Sequence, residues 1–354
     1  MKVWMLNVLV CPQCLGRLKL RIFETDLKGE IIRGRIFCQA CKLNFVIENG
    51  VPVFGISAEK KTERYQELDS ELKWEFSVDM QSHIKWAKKS AITGERIIQK
   101  IKKVLKITSG GGLTVLDVGA GCGALHSWQF SKHGFQVVAA ELCPEFLFSI
   151  DYFKDENLFF ERVVTDCSIL PFRESSFDIV FCKQLIHHIE DPLELLSEIW
   201  RVTRENGLIV IEEPAISMLR NKGNALRRDK AAKLGITHHY YTQNEYLELF
   251  EKVASIIEFN AIPAKFEILE KVLPKKIKKL LTNFIGGSVE LIGIKRKDFT
   301  IKERTRKVIP MFTEKIILDN IKIEYYRKKV IPSKLEIFLR AHENYLRNLM
   351  RYVR

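Results

Sequence analysis

The spacing of hydrophobic positions changes several times along this chain, and each change marks an element. In Leu18-Lys-Leu-Arg-Ile-Phe23 and Ile31-Ile-Arg-Gly-Arg-Ile-Phe37 apolar and polar residues alternate well enough to predict a hairpin. From about residue 57 to 108 the chain is polar, rich in Lys and Glu, and free of proline. Its later apolar residues (Ile97, Ile98, Ile101, Val104, Leu105) recur at helical intervals, which predicts two or three helices. Trp74 and Trp86 read there as packing residues rather than ligand contacts. Beyond residue 113, short apolar runs alternate with helical stretches, the signature of a parallel α/β sheet. Seven strands are predicted: Thr114–Val118, Gln136–Ala140, Phe159–Thr165, Phe177–Cys182, Leu208–Glu212, Ser255–Asn260 and Ser288–Ile294. A polar, basic insertion lies between Glu213 and Tyr241, and an amphipathic Lys-rich segment spans Lys271 to Leu281. After Lys297 the chain reads helical. The expected units are 1–56, a helical connector 57–112, the α/β domain 113–297 and a basic helical extension 298–354, with Ser109-Gly-Gly-Gly112 as a hinge.

One stretch organises the α/β unit: Val115-Leu-Asp-Val-Gly-Ala-Gly-Cys-Gly123. A strand opens into glycines at every second position, which lets the backbone turn sharply and lie against a ligand beyond the strand's carboxyl end. Two cofactors fit this loop. Gly119-x-Gly121-x-x-Ala124 satisfies a dinucleotide fingerprint, with Glu141 about where a ribose-binding acid belongs. Asp117 tips the balance, since a carboxylate at the strand end repels a pyrophosphate but suits the ammonium of S-adenosylmethionine (SAM).

Downstream motifs follow in order: Thr165-Asp-Cys-Ser-Ile-Leu-Pro-Phe172, Ser176-Phe-Asp-Ile-Val-Phe-Cys182, Leu185-Ile-His-His-Ile-Glu-Asp-Pro192, Glu198-Ile-Trp-Arg-Val202 and Ile209-Val-Ile-Glu-Glu-Pro214. With the glycine loop, this series resembles the class I SAM-dependent methyltransferases, in the branch labelled methyltransferase type 11. The resemblance implies a Rossmann-like seven-stranded sheet. It also implies that Gly119, Gly121 and Gly123 accommodate the methionyl end with Asp117 near its ammonium. Glu141 would take the ribose hydroxyls, Leu142 an adenine face, and Asp166 the adenine amino group, with Cys167 offering a backbone N–H. Methyl transfer from a sulfonium needs no leaving-group acid, and a base matters only when the acceptor arrives protonated. His187 and His188 are the candidate bases, and only one of them can easily point at the cleft. His238, His239, Tyr240 and Tyr241 form a second set, read as lining of the acceptor side.

The eight cysteines fall into two groups. Cys11-Pro-Gln-Cys14 and Cys38-Gln-Ala-Cys41 are paired knuckles whose four thiolates suit structural zinc. With Asn49-Gly-Val-Pro-Val-Phe54 they resemble the Trm112-type zinc ribbons, small proteins that activate methyltransferase partners. An activating or substrate-presenting role is what that resemblance implies. Cys122, Cys143, Cys167 and Cys182 fall just past successive strand ends and read as small apolar filling near the cleft.

Charge separates the remaining readings. The net charge is +13, and residues 262–354 hold 23 Lys+Arg against 10 Asp+Glu, so the rest of the chain is neutral. The carboxyl-terminal quarter therefore reads either as a site for an anionic partner, RNA or a membrane surface, or as an ordinary Lys-rich solvated surface. No run is apolar enough to span a bilayer and no secretory signal is evident, so the expected location is the cytoplasm, with a peripheral place at the membrane as an alternative. The preferred acceptor is a small-molecule, lipid-linked or sugar metabolite. The alternatives are an RNA methyltransferase and a SAM-binding adaptor without catalysis.

Overall fold

The computed structural model describes residues 1–58, 80–121, 124–148, 160–218, 239, 241–264, 273–301 and 306–311. The alternating stretches near the amino terminus become β1 (Leu18–Thr25) and β2 (Ile31–Cys38), continued by β3 (Asn44–Glu48) and β4 (Val51–Val53) in an antiparallel meander. A short β5 (Gly55–Ser57) follows. The seven predicted strands are β6 (Thr114–Val118), β7 (Gln136–Glu141), β8 (Glu161–Val164), β9 (Phe177–Lys183), β10 (Thr203–Ala215), β11 (Ala254–Pro263) and β12 (Gly287–Lys295). They lie in the order β8-β7-β6-β9-β10-β12-β11, with β12 antiparallel to both neighbours.

The meander does not stand apart from this sheet. Val53 of β4 pairs in parallel with Val164 of β8, and Phe54 N donates to Val164 O at 3.0 Å, which makes one eleven-stranded sheet. An edge strand with unpaired backbone groups is a ready template for another strand, and here the chain covers its own edge.

Apolar residues cover both faces. Val115, Val137, Phe181 and Val210 pack against α1 (Met80–Leu105) and α2 (Leu125–Lys132) through Ile97, Ile98, Ile101 and Phe130. Their strand neighbours Leu116, Val138, Val180 and Ile209 point the other way. After the short α3 (Pro144–Phe148), that second face is covered by α4 (Pro192–Val202) and α5 (Gln243–Val253), through Leu195, Leu196, Ile199, Tyr246 and Phe250. Each such side chain contributes roughly 1.5–3 kcal/mol on full burial. Both helices start as their sequences direct. Asp191 caps α4 ahead of Pro192, and Thr242 with Glu245 forms a capping box on α5. The Lys-rich segment becomes α6 (Lys275–Ile285), beginning just after Pro274.

Two expectations change. Ser109-Gly112 is not an open hinge: Gly110 lies against the Phe135 ring, where a Cβ would stand 2.3 Å from a ring carbon, and its N–H donates to His133 O. Residues 308–310 are a strand, β13 (Val308–Pro310), rather than helix, because β5 offers them an antiparallel partner. Arg306, just before it, forms a buried ion pair with Glu198 of α4, and Val308 N donates to Gln13 Oε1 in the first cysteine knuckle (3.2 Å). Trp74, the insertion residues 219–238 and the extension beyond residue 311 lie outside the described residues.

Candidate functional site

The carboxyl ends of β6, β7, β8 and β9 meet around one cavity. It is lined by Gly119, Gly121, Glu141, Leu142, Cys143, Phe146, Thr165, Asp166, Cys167, Gln184, Leu185, His188 and Ile189, together with Ala140. Gly119 and Gly121 both have φ of +69°, and a Cβ at Gly119 would stand 2.9 Å from the Leu185 side chain. Both features call for glycine. Glu141 ties the loop down: its carboxylate accepts from Gly121 N (2.8 Å), Leu142 N (2.7 Å) and Cys143 N (3.0 Å). Burial raises its pKa, against the pull of these three N–H groups.

Asp166 is wholly buried and caps the 3₁₀ turn Cys167–Ile169, accepting from Ser168 N and Ser168 Oγ at 2.9 and 2.8 Å. Its other oxygen accepts from Ser57 N of β5 at 3.1 Å, and its own N–H donates to Gly55 O. Strand alternation turns Asp117 away from the cavity and beneath α2, where Ser127 Oγ donates to it at 2.6 Å. Burial pushes Asp117 up to about 7 despite that hydrogen bond, and the Glu141 charge adds to the rise.

The two histidines have separate places. His188 lines the cavity. His187 lies behind it, with ring centroids 4.3 Å apart, and its Nδ1 is 2.7 Å from Glu213 Oε2. Glu213 is fully buried, and its second oxygen accepts from Leu185 N and Ile186 N, both at 2.8 Å. One carboxylate thus fixes both the loop and the ring. His239 N donates to His187 O, and Tyr241 meets Tyr246 edge-on.

In the ribbon, Cys11, Cys14, Cys38 and Cys41 bring their sulfurs within 4.8 Å of one another. The pairs Cys11–Cys41 and Cys14–Cys38 are 3.4 Å apart and Cys14–Cys41 3.8 Å, too far for a disulfide. A tetrahedral zinc with Zn–S of about 2.3 Å needs sulfur–sulfur edges of about 3.8 Å, so the donor set fits that ion. Leu15 and Lys42, each directly after a knuckle, both have positive φ, and the N–H of each donates to the carbonyl of its knuckle's first cysteine.

Residues 116–211 match the family described as methyltransferase domain, and residues 3–50 match the family described as Trm112p-like protein. The chain joins a Trm112-like domain to a methyltransferase domain. Among similar proteins, the malonyl-[acyl-carrier protein] O-methyltransferase of Yersinia pestis is 31% identical over 137 residues, 38% of this chain and 46% of that protein. The 2-methyl-6-phytyl-1,4-hydroquinone methyltransferase of a Synechocystis strain is 28% identical over 102 residues, 29% of this chain and 32% of that protein. The solved phosphoethanolamine N-methyltransferase 2 of Haemonchus contortus with S-adenosyl-L-methionine is 18% identical. It covers 57% of this chain and 53% of its own, with a TM-score of 0.45. The chain spans under half the length of the first curated relatives it matches.

Within the methyltransferase domain, Gly119, Gly121, Glu141, Leu142, Asp166, Cys167 and His188 converge on the cavity. Asp117 and His187 stand behind its wall, and Gly123 lies outside the described residues, as do Cys122, His238 and Tyr240. Cys143 and Cys167 line the cavity, whereas Cys182 is buried among apolar residues of the α4 and α5 face. Sequence reasoning missed Glu213, Gln184 and Phe146. The only signal for Glu213 was the acid pair Glu212-Glu213 ending an apolar strand, where one acid must face each side of the sheet. Gln184 sits at φ +53°, a strained turn directly after β9.

Proposed function

We propose that this protein binds SAM in the β6–β9 cavity and transfers its methyl group to a small-molecule, lipid-linked or sugar acceptor. The observation that carries the reading is the convergence of a positive-φ glycine loop, Glu141, Asp166-Cys167 and His188 on one cavity at the sheet's carboxyl edge. When bound, SAM supplies an electrophilic methyl on a sulfonium that departs as a neutral thioether. The chain's own residues then position and exclude. Glu141 would hold the ribose hydroxyls with the same carboxylate that accepts from Gly121 N–H, which would couple cofactor binding to the glycine loop. A carboxylate accepts about four hydrogen bonds, and Asp166 already takes three from Ser57 and Ser168, so much of its capacity shapes the turn presenting Cys167. His188 faces the cavity and is placed to take a proton from an acceptor that arrives protonated, while Glu213 holds His187 behind it.

The relatives bear names with chemically different acceptors, an acyl-carrier malonyl group and a phytyl hydroquinone, which supports a metabolite acceptor in general and selects none. The surplus of positive charge in residues 262–354 and the Trm112-like domain support a second reading, an RNA acceptor. Cys11, Cys14, Cys38 and Cys41 hold a structural zinc in this account, detectable as one equivalent per chain by metal analysis. Incubation with labelled SAM and fractionated cell extract tests the whole. Release of S-adenosylhomocysteine with the small-molecule or lipid fraction, abolished in Glu141→Ala, is expected. Release with RNA alone favours the second reading, and no release with any fraction favours an adaptor.

A further inference from the structure

Helix α6 is turned inside out. An amphipathic helix ordinarily packs its apolar stripe on the core. Here Ile277, Leu280, Phe284 and Ile285 are 42%, 52%, 52% and 41% exposed, whereas Lys278 and Thr282 are buried against the protein. Ile277, Leu280 and Phe284 follow one another at three and four residues, so they form a single outward row. Lys278 Nζ reaches inward to donate to Asn260 Oδ1 on β11 at 3.2 Å. Burying a lysine in place of a leucine is unfavourable, so core packing does not account for this orientation.

The flank of the row is cationic. Lys275, Lys276 and Lys279 are exposed, the last also lying 5.8 Å from the Phe259 ring centroid, and α6 carries no acidic residue. The segment after β10 extends the apolar surface. Met218 is 52% exposed and its N–H donates to Asn283 O at 2.7 Å, while Ser217 Oγ donates to Phe284 O at 2.7 Å. The helix leads into β12 at Gly287, which pairs with the carboxyl-terminal residues Ala215 of β10 and Pro263 of β11. It therefore lies at the carboxyl ends of β10 and β11, the end of the sheet at which the cavity opens.

We propose that α6 is an in-plane docking helix for an anionic phospholipid surface. Ile277, Leu280, Phe284 and Met218 enter the boundary between headgroups and acyl chains, and Lys275, Lys276 and Lys279 meet the lipid phosphates. Charge complementarity selects this occupant, because α6 itself carries four lysines, three of them exposed beside the apolar row, and no acidic residue. RNA would use the lysines but has no need of an aliphatic row, since single strands stack on aromatic and arginine planes. The proposal stands apart from methyl transfer and is read without it.

The test is co-sedimentation of the full chain with vesicles of phosphatidylcholine alone or with added phosphatidylglycerol, at physiological salt, with polyuridylate binding and oligomeric state measured in parallel. Two exposed-site variants are compared with wild type, Leu280→Ser/Phe284→Ser and Lys275→Gln/Lys276→Gln/Lys279→Gln, with thermal melting to confirm that each remains folded. Wild type is expected to partition onto phosphatidylglycerol vesicles, and each variant to lose about tenfold or more in partitioning. Absence of vesicle binding overturns the proposal, as does binding that both variants retain. Self-association or polyuridylate binding abolished by Leu280→Ser/Phe284→Ser, with vesicles unbound, overturns it in favour of a second copy or of RNA.

Discussion

Asp117 carries the clearest consequence of burial at a single residue. Its carboxyl is raised from 3.8 to about 7 by desolvation, which Ser127 only partly offsets. An acid raised in the folded state keeps a proton that the unfolded chain has already lost. Folding stability attributable to Asp117 is thus complete below its unfolded pKa and falls as pH rises toward about 7. Asp117→Asn retains an acceptor for Ser127 and removes the titration. Urea unfolding should show the variant gaining about 1–3 kcal/mol over wild type at about pH 8, with the gain vanishing near pH 4. A difference independent of pH would refute this. Glu213 offers a second test at the same scale. Its carboxylate requires His187 to carry a proton on Nδ1, and Glu213→Gln places a donor against that nitrogen. Long-range proton–nitrogen spectra should report the Nδ1–H tautomer in wild type and its loss in the variant, with destabilisation of about 1–3 kcal/mol. An unchanged tautomer means that Glu213 does not orient the ring.

Among the elements, the seam between the Trm112-like meander and the methyltransferase sheet is narrow in backbone pairing but reaches the cavity. β4 pairs with β8 at one position, and β5 then sends Ser57 N to Asp166 and takes the Asp166 N–H on Gly55 O. Ser57→Pro removes that one donor, because Pro has no N–H. Calorimetry should find SAM bound roughly 3–10-fold more weakly, about the net worth of one ordinary hydrogen bond, and unchanged affinity would show that the seam does not shape the cavity. The elements differ in how legible they were. The seven strands were readable because each is a short, largely apolar run that carries β-branched residues, as in Val137-Val-Ala-Ala140 or Ile209-Val-Ile211. β13 was not, because three residues ahead of a Met carry no period, and only pairing with β5, some 250 positions away, makes them a strand. The same holds within the site. Gly119, Gly121, Glu141 and Asp166 announce themselves at the ends of strands, whereas the bond from Glu213 to His187 and the pair of Arg306 with Glu198 depend on tertiary proximity. The inward lysine of α6 runs against its own pattern, so no reading of periodicity could orient that helix.

At the scale of the whole molecule, one sheet carries the cysteine cluster's meander at one edge and α6 at the other, with the cavity between. The segment around Arg306 crosses back to the first cysteine knuckle, so the two matched domains are tied both along the sheet and through this strap. The proposed activity presupposes that the cavity takes SAM. Isothermal titration of the purified full chain with SAM and, separately, with NAD is the most direct test. The account predicts saturable SAM binding with a dissociation constant on the order of 1–100 µM, weakened at least about tenfold by Glu141→Ala, and no heat with NAD. Tight NAD binding with no response to SAM would contradict it.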